Sequence, residues 1–440
     1  MSGEANKPHV RRGVSRVIKR IALAIGGAIA LLGAVFLAWI NYMPGPPPLI
    51  QNAGLLPPVQ RSITSMPGVY LGTPYGACTR ILAIDGGGVR GIIPALILKR
   101  IESETGKPIS KQFDLIAGTS TGAILALGLV KPSETDARQP AFRGSDIVSL
   151  YRDYASTVFP SSFFILRDLR RFLHPKYAPD GVDSVLERYF GDYMLGESVT
   201  PVLIPAYDIE DHERLWFSDL SNPELYMKDI ALGATAAPTY LPPHRFAIQR
   251  GSLGIGRTFR KDTVTLVDGG LFANNPSAEA INYIERLQAQ APINRGNPDN
   301  SILLVSLGTG KLAPKKYSFD EVWGWGVVNW INPLLEIAFD DPAIDDQVER
   351  EMADRGPYFR LQTDLGGEPT PLDDSSKRSM QHLTDLTNQA LDHANKDILQ
   401  SIIYQLSLPR SSRCPAFRLP GPDFEVPDRR GTKANKTIKP

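Results

Sequence analysis

The stretch ILAIDGGGVRGIIPALILKR, residues 81–100, predicts a buried strand, a glycine-rich turn and a helix in direct succession. Four apolar residues precede the glycines, and the apolar residues that follow them recur at helical spacing. The turn contains the pattern G-x-G-x-x-G, which is typical of loops that bind the pyrophosphate of a dinucleotide. The stretch therefore predicts an α/β unit whose turn holds a negative charge, and the first question is which charge.

A second strand–turn–helix unit follows at residues 113–130, FDLIAGTSTGAILALGLV. Its turn carries G-x-S-x-G, a pattern that pushes a serine hydroxyl out of a sharp bend above a helix N-terminus. The five residues of this predicted nucleophile elbow are Gly118, Thr119, Ser120, Thr121 and Gly122. A serine that only caps the helix is the simpler alternative. We interpret Ser120 as a nucleophile.

The second unit also bears on the glycine loop. A dinucleotide-binding fold requires an acidic residue at the end of the next strand, to bind the ribose. Here that strand ends in the elbow of Ser120 instead. We therefore interpret the loop as a set of backbone N–H donors for a transient oxyanion, and a dinucleotide-binding protein remains the alternative of a different class. The predicted oxyanion site comprises Gly86, Gly87, Gly88, Arg90 and Gly91.

A serine nucleophile needs a proton acceptor. The segment LVDGGLFANNP places Asp268 at the end of a predicted strand, directly before Gly269 and Gly270. A carboxylate at a strand end should reach the same edge of the sheet as Ser120, and partial burial would raise its pKa toward a working range. An Asp that only caps the turn is one alternative. A Ser-Asp-His triad that uses His382 or His393 is another, since the order along the chain permits it.

Three motifs in this order resemble the signatures of patatin-like phospholipases: DGGGVRG at 85–91, GTSTG at 118–122 and DGG at 268–270. The segments AAPTYLPP and FANNP are similar to flanking segments of that family. The resemblance covers residues 80–310. It implies a Ser120–Asp268 dyad that hydrolyses acyl esters of lipids, with the glycine loop as oxyanion hole and without histidine, metal or cofactor. A catalytically inactive, membrane-tethered scaffold is a further alternative.

Strands that alternate with helices predict a three-layer α/β/α fold with a mostly parallel central sheet. The stretch 131–180 is less regular, and it reads as an insertion or lid. The predicted divisions are a basic N-terminal tail (1–20), a transmembrane anchor (21–43), a Pro/Gly-rich linker (44–79), a catalytic domain (80–310), a C-terminal part or cover of that fold (311–408) and a disordered tail (409–440).

The anchor is predicted from charge and length. Residues 21–43 carry no charge and match the thickness of a bilayer as a helix, with Trp39 and Tyr42 at the far end. Basic residues dominate the tail before it, whereas Arg61 is the only charged residue between the span and Arg80. This bias predicts a single-pass protein with a cytoplasmic N-terminus and the catalytic domain across the membrane. A cleaved signal peptide is the alternative.

Composition narrows the partners. The net charge is +1, with 48 basic and 47 acidic residues, so we expect membrane lipids as the substrate and no nucleic-acid partner. The two cysteines, Cys78 and Cys414, exclude a disulfide framework and a Cys-based zinc site. One bridge between them is possible, but we expect two separate thiols. The Trp-rich segment 322–339 is expected to cover the sheet, and a lipid-facing surface is its alternative.

Overall fold

The fold is described by a computed structural model. The described residues are 26–27, 30–38, 78–160, 174–248, 262–290, 301–311, 317–326, 329–330, 333–334, 342–366, 370–409 and 414. The predicted linker is outside this set except for residues 78 and 79, which already belong to the first strand. The predicted tail at 409–440 is likewise outside it, apart from residues 409 and 414.

Eight strands and eleven helices position the site. The strands are β1 (Cys78–Ile84), β2 (Leu115–Gly118), β3 (Val202–Asp208), β4 (Glu213–Ser218), β5 (His244–Ala247), β6 (Thr263–Asp268), β7 (Ser301–Leu307) and β8 (Tyr358–Leu361). The helices are α1 (Ile92–Thr105), α2 (Thr121–Val130), α3 (Gly144–Val158), α4 (Pro179–Phe190), α5 (Met227–Ala234), α6 (Gly270–Ala273), α7 (Ser277–Gln290), α8 (Phe319–Trp323), α9 (Pro342–Met352), α10 (Lys377–Asp392) and α11 (Lys396–Ser407).

The strands form one mixed sheet in the order β5-β6-β3-β2-β1-β7-β8, with β4 paired to β3 outside this path. The central strands β3, β2, β1, β7 and β8 are parallel to their neighbours. Strands β4 and β6 run antiparallel to β3, and β5 runs antiparallel to β6. The sheet is therefore mostly parallel, as predicted, but the strand that carries Asp268 runs the other way.

Two hydrophobic cores lie on opposite faces of the sheet. In β1, Leu82 and Ile84 belong to one core, whereas Ile81 and Ala83 belong to the other. This alternation is what a strand buried on both faces requires. Helices α1 to α5 with α10 and α11 cover the first face, and α7 and α9 cover the second. The predicted three-layer α/β/α architecture is confirmed.

The prediction of an insertion or lid at residues 131–180 is wrong for the part occupied by α3. Its apolar residues Ile147, Leu150, Tyr151 and Tyr154 are buried in the first core, three or four positions apart. At its start, a Cβ on Gly144 would lie 2.7 Å from the Cα of Lys99, so α3 packs closely on α1. The polar residues between the apolar ones obscured a helix that is an integral layer of the fold.

Cys78 and Cys414 form a disulfide bond, so the expectation of two separate thiols is wrong. Both residues are buried, and the backbone N–H of Cys414 donates to the Ser301 hydroxyl at 2.8 Å. Cys414 falls inside the segment predicted as a disordered tail, which at this residue is tied to the first strand. The bond closes a loop across a sequence separation of 336 residues.

The Trp-rich segment differs from its predicted role as a cover. Phe319 and Trp323 are 70% and 77% exposed, and their rings stack one helical turn apart in α8 with centroids separated by 5.2 Å. Trp330 is also exposed and contacts the ring of Trp325 edge to face. These aromatic rings therefore pack on one another while Phe319 and Trp323 face solvent.

Most of the predicted anchor at residues 21–43 is outside the described part of the chain. Residues 26–27 and 30–38 are helical, with Leu31, Leu32, Val35 and Leu37 exposed. Within the described residues, no helix reaches the length and apolarity that crossing a bilayer requires.

Candidate active site

Ser120 occupies a strained turn between β2 and α2. Its φ of 52° and ψ of −122° place a non-glycine residue in a sparsely populated backbone region, which costs on the order of 1–3 kcal/mol. The flanking glycines permit close packing, since a Cβ on Gly118 would lie 2.2 Å from the carbonyl oxygen of Gly122. Thr119 secures the turn by donating from its hydroxyl to the carbonyl of Ala273 at 2.7 Å. The predicted elbow is thus a built feature of the fold.

Asp268 lies within hydrogen-bond distance of this serine. The Ser120 Oγ donates to Asp268 Oδ2 at 2.5 Å, and the N–H of Gly270 donates to Oδ1 at 2.7 Å. Asp268 is fully buried, and Gly269 in the same turn packs against the carbonyl of Pro205. Loss of solvation raises the pKa of Asp268 from 3.8 to about 7, although the bonds from Ser120 and Gly270 act in the opposite direction.

The sequence placed Asp268 correctly for an incomplete reason. Because β6 is antiparallel to β3, its carboxyl end does not point toward the edge where β1 and β2 end. Asp268 reaches the site because it pairs with Ala206, deep within β3, which continues past the level where β2 ends. The register of β6 on β3 therefore sets the position of the carboxylate.

Most backbone donors of the glycine loop are already engaged. The N–H of Gly86 donates to the carbonyl of Asn274, that of Val89 to Leu372 and that of Arg90 to Gly87. Within the described residues, the N–H groups of Gly87 and Gly88 have no protein acceptor. Both glycines line the same cavity as Ser120. The predicted oxyanion site is therefore narrowed to these two donors, and Gly86 supports the loop instead.

Arg90 does not occupy the role predicted for it as a cation at the oxyanion. Its Nε and one terminal nitrogen donate to the carbonyl of Thr370 at 2.9 and 2.5 Å. Gly91 is tightly packed, since a Cβ there would lie 2.5 Å from the hydroxyl of Thr121 at the start of α2. These contacts hold the glycine loop in place and join it to the elbow.

A buried ion pair at the base of the loop was missed by sequence reasoning. Asp85 ends β1, and both of its carboxylate oxygens accept from Arg360 of β8, at 2.9 and 2.6 Å. Arg360 also donates to the hydroxyl of Ser306 at 2.8 Å. The carboxylates of Asp85 and Asp345 outweigh burial and raise the pKa of Arg360. The partners are 275 residues apart, and no sequence pattern connects them.

The cavity beside Ser120 has an apolar wall that the sequence did not reveal. Besides the elbow, the glycine loop and Asp268, it is lined by Tyr154, Phe159, Thr235, Ala237, Tyr240, Leu241 and Leu372. Tyr154 and Phe159 come from α3 and its C-terminus, and their rings meet edge to face with centroids 6.1 Å apart. The helical spacing of α3 was the signal that would have found Tyr154. Desolvation raises the pKa of Tyr154, so its hydroxyl stays protonated.

The histidines of the alternative triad lie elsewhere. His382 and His393 belong to α10 and its C-terminal cap, and neither lines the cavity. His244 contacts Asp229 through Nε2 at 2.9 Å. In the part of the chain that the structure describes, no histidine lines the cavity and no cluster of His, Cys, Asp and Glu could hold a metal ion. The geometry brings together Ser120, Asp268 and the glycine-loop amides only.

Comparison with known proteins agrees with this arrangement. The family described as "Patatin-like phospholipase" matches residues 82–281, which include Ser120 and Asp268. "Patatin-like protein 2" of Arabidopsis thaliana is 33% identical over 332 residues, which cover 68% of this chain and 79% of that protein. "Probable inactive patatin-3-Kuras 1" of Solanum tuberosum is 32% identical and covers 69% and 84%. The crystal structure of VipD from Legionella pneumophila is similar only at a TM-score of 0.29 and 15% identity, over 73% of this chain and 67% of VipD. On the sequence matches, the chain belongs to the patatin-like phospholipase family.

Proposed function

We propose that this protein hydrolyses carboxylic esters of lipids, in the manner of a phospholipase A or lysophospholipase, with Ser120 as nucleophile and Asp268 as its proton acceptor. One similar protein is named as inactive, so the activity has to be argued from the site itself. The observation that carries the proposal is the 2.5 Å hydrogen bond from the Ser120 Oγ to a carboxylate whose pKa burial raises to about 7. A base with a pKa near the working pH is well suited to accept the proton.

The steps follow from the positions of these groups. The Ser120 Oγ attacks the ester carbonyl carbon as its proton passes to Asp268 Oδ2. The carbonyl oxygen becomes an oxyanion that accepts from the N–H groups of Gly87 and Gly88. When the tetrahedral intermediate collapses, the bond to the alcohol oxygen breaks and Asp268 returns the proton to the leaving alcohol. Water then attacks the acyl-serine, gives a proton to Asp268, and the released Ser120 recovers it as the fatty acid leaves.

The apolar wall supports a lipid acyl group as the part of the substrate that the cavity binds. Aromatic and aliphatic side chains from Tyr154, Phe159 and Leu241 lie on the cavity that Ser120 enters. Ligand sites typically combine such walls with a few polar groups that fix orientation. A dinucleotide is disfavoured, because a Cβ on Gly86 would lie 3.1 Å from that of Ser120 and the loop therefore packs on the elbow.

Fluorophosphonate labelling tests the nucleophile. The purified protein should be labelled, and Ser120→Ala should not be. Asp268→Asn should keep the elbow but lose most of the labelling rate, because Asn cannot accept the proton. Ser110→Ala is a matched control, since this buried serine lies in a turn that does not line the cavity. Labelling that survives in Ser120→Ala would contradict the assignment of the nucleophile.

The triad and the inactive scaffold are separated by two further measurements. His382→Ala with His393→Ala should retain nearly full esterase activity, whereas a triad enzyme would lose several orders of magnitude. A scaffold would neither be labelled nor hydrolyse p-nitrophenyl or phospholipid esters. Thermal stabilisation by a nicotinamide dinucleotide would favour the alternative of a different class.

We further propose that residues 21–43 anchor the protein as a single span, with the N-terminus in the cytoplasm and the catalytic domain on the opposite side. The charge bias around the span supports this orientation. The disulfide between Cys78 and Cys414 supports it independently, because such bonds persist in oxidising compartments. Protease added to the cytoplasmic face of sealed membranes should leave the catalytic domain intact. Digestion of that domain, or release of the full chain by alkaline carbonate, would contradict the topology or the anchor respectively.

A further inference from the structure

A short segment far from the catalytic motifs forms one wall of the site. We name residues 370–375 the strap. The carbonyl of Leu372 accepts from the N–H of Val89 at 2.7 Å, and the carbonyl of Thr370 accepts from the guanidinium of Arg90. A Cβ on Gly88, whose φ is +55°, would lie 2.1 Å from the Leu372 carbonyl oxygen. The strap is therefore in direct backbone contact with the oxyanion loop.

The strap is also fixed on its other side. The Tyr177 hydroxyl donates to Asp373 Oδ2 at 2.6 Å, and the Ser375 hydroxyl donates to the carbonyl of Phe159. Phe159 and Tyr177 in turn pack edge to face, with ring centroids 5.1 Å apart. Contacts at both ends make the strap a fixed wall, because moving it would break bonds to the glycine loop and to the end of α3 together.

Leu372 is the strap residue whose side chain matters for the substrate. It lines the cavity together with Ser120, Gly88 and Leu241, and it is only partly buried. An acyl chain that starts at the Ser120 carbonyl site must pass between Leu372 and the aromatic residues of the opposite wall. The position at the cavity wall, and not in the core, means that a change of side-chain volume alters the available space.

We propose that Leu372 is a specificity-determining residue that sets the length of the acyl chain that the site accepts, held in position by the strap. This inference rests on the proposed ester hydrolysis. It assigns a substrate-contacting role to a segment outside the region that the family match covers, residues 82–281. The chemical class of ligand is a fatty acyl group, since the remaining wall is formed by aromatic and aliphatic side chains.

The experiment compares p-nitrophenyl butyrate with p-nitrophenyl palmitate on the full-length protein. In Leu372→Ala the ratio of kcat/KM for palmitate to that for butyrate should rise about tenfold, because contacts of a few methylene groups differ by that order. In Leu372→Trp, which narrows the passage, the ratio should fall by about the same factor. Leu220→Ala is a matched control, because Leu220 is partly buried against the opposite core and should leave the ratio unchanged.

The outcomes separate this inference from the proposed function. If the unaltered protein hydrolyses both esters but Leu372→Ala and Leu372→Trp give its chain-length ratio, the role of Leu372 is overturned. If the unaltered protein hydrolyses neither, the proposed function fails first. Labelling rates with short- and long-chain alkyl fluorophosphonates then test Leu372 directly, since they need only a reactive Ser120. Equal rate ratios in all variants would overturn the inference there too.

Discussion

Replacement of Asp268 by Asn should stabilise the fold while it abolishes the reaction. The carboxylate is fully buried, and desolvation raises its pKa from 3.8 to about 7. Between those values the folded protein binds more protons than the unfolded chain, so its stability decreases as the pH rises. At about 1.4 kcal/mol per pKa unit, the ionised carboxylate costs the folded state about 4 kcal/mol above pH 7.

Asn is uncharged at every pH, and its Oδ1 still accepts one of the two hydrogen bonds that Asp268 receives. The unfolding free energy of Asp268→Asn should therefore exceed that of the unaltered protein by about 4 kcal/mol at pH 8, but by only about 1 to 2 kcal/mol at pH 5. Urea unfolding at both pH values, with intact disulfide, measures the two differences. Esterase activity should be lost at both.

A matched control is available at Asp219. Burial also raises the pKa of this carboxylate to about 7, and it accepts from the N–H of Val202 at the opposite end of β3. Asp219→Asn should keep esterase activity, which separates the loss of a base from the relief of a buried charge. The reasoning is refuted if Asp268→Asn gains no more stability at pH 8 than at pH 5.

Three further predictions rest on other contacts. Since Asp268 must be ionised to accept the proton, kcat/KM should rise about tenfold per pH unit below about pH 7 and level off above it, and a flat profile from pH 5 to 8 would contradict the dyad. Gly87→Ala should reduce kcat by on the order of 100-fold, because the new methyl would lie 2.2 Å from the Thr309 hydroxyl, whereas Gly324→Ala meets nothing within 4 Å and should be neutral. Cys414→Ser should lower the unfolding free energy by about 2–5 kcal/mol, and an equal melting temperature with and without reductant in the unaltered protein would count against the bridge.

The sequence was most informative where local pattern and local structure coincide. Glycines around Ser120 and before α1 predicted sharp turns at strand ends, and both turns are present. The pairing of two cysteines 336 residues apart, or of Asp85 with Arg360, leaves no local trace. Such contacts depend on which strands become neighbours, and a single sequence does not report that order.

Local pattern also gave misleading assignments. The polar and basic residues of 131–180 suggested a lid, although the apolar positions of α3 follow a helical period and build the cavity wall. Arg90 looked like a cation for the oxyanion, but a carbonyl from the strap takes its guanidinium. In both cases the residue type was interpreted alone, whereas its role is set by a partner elsewhere in the chain.

The antiparallel entry of β6 has a consequence for how the site comes into being. Ser120 and Asp268 are 148 residues apart, and their bond requires β6 to pair with β3 in one register. A slip of one residue would turn the carboxylate to the other face of the sheet. Non-local strand pairing of this kind forms slowly, after local helices and turns. Catalytic competence is therefore a late product of folding, and a newly made chain passes through compact forms that hold the elbow but have no base beside it.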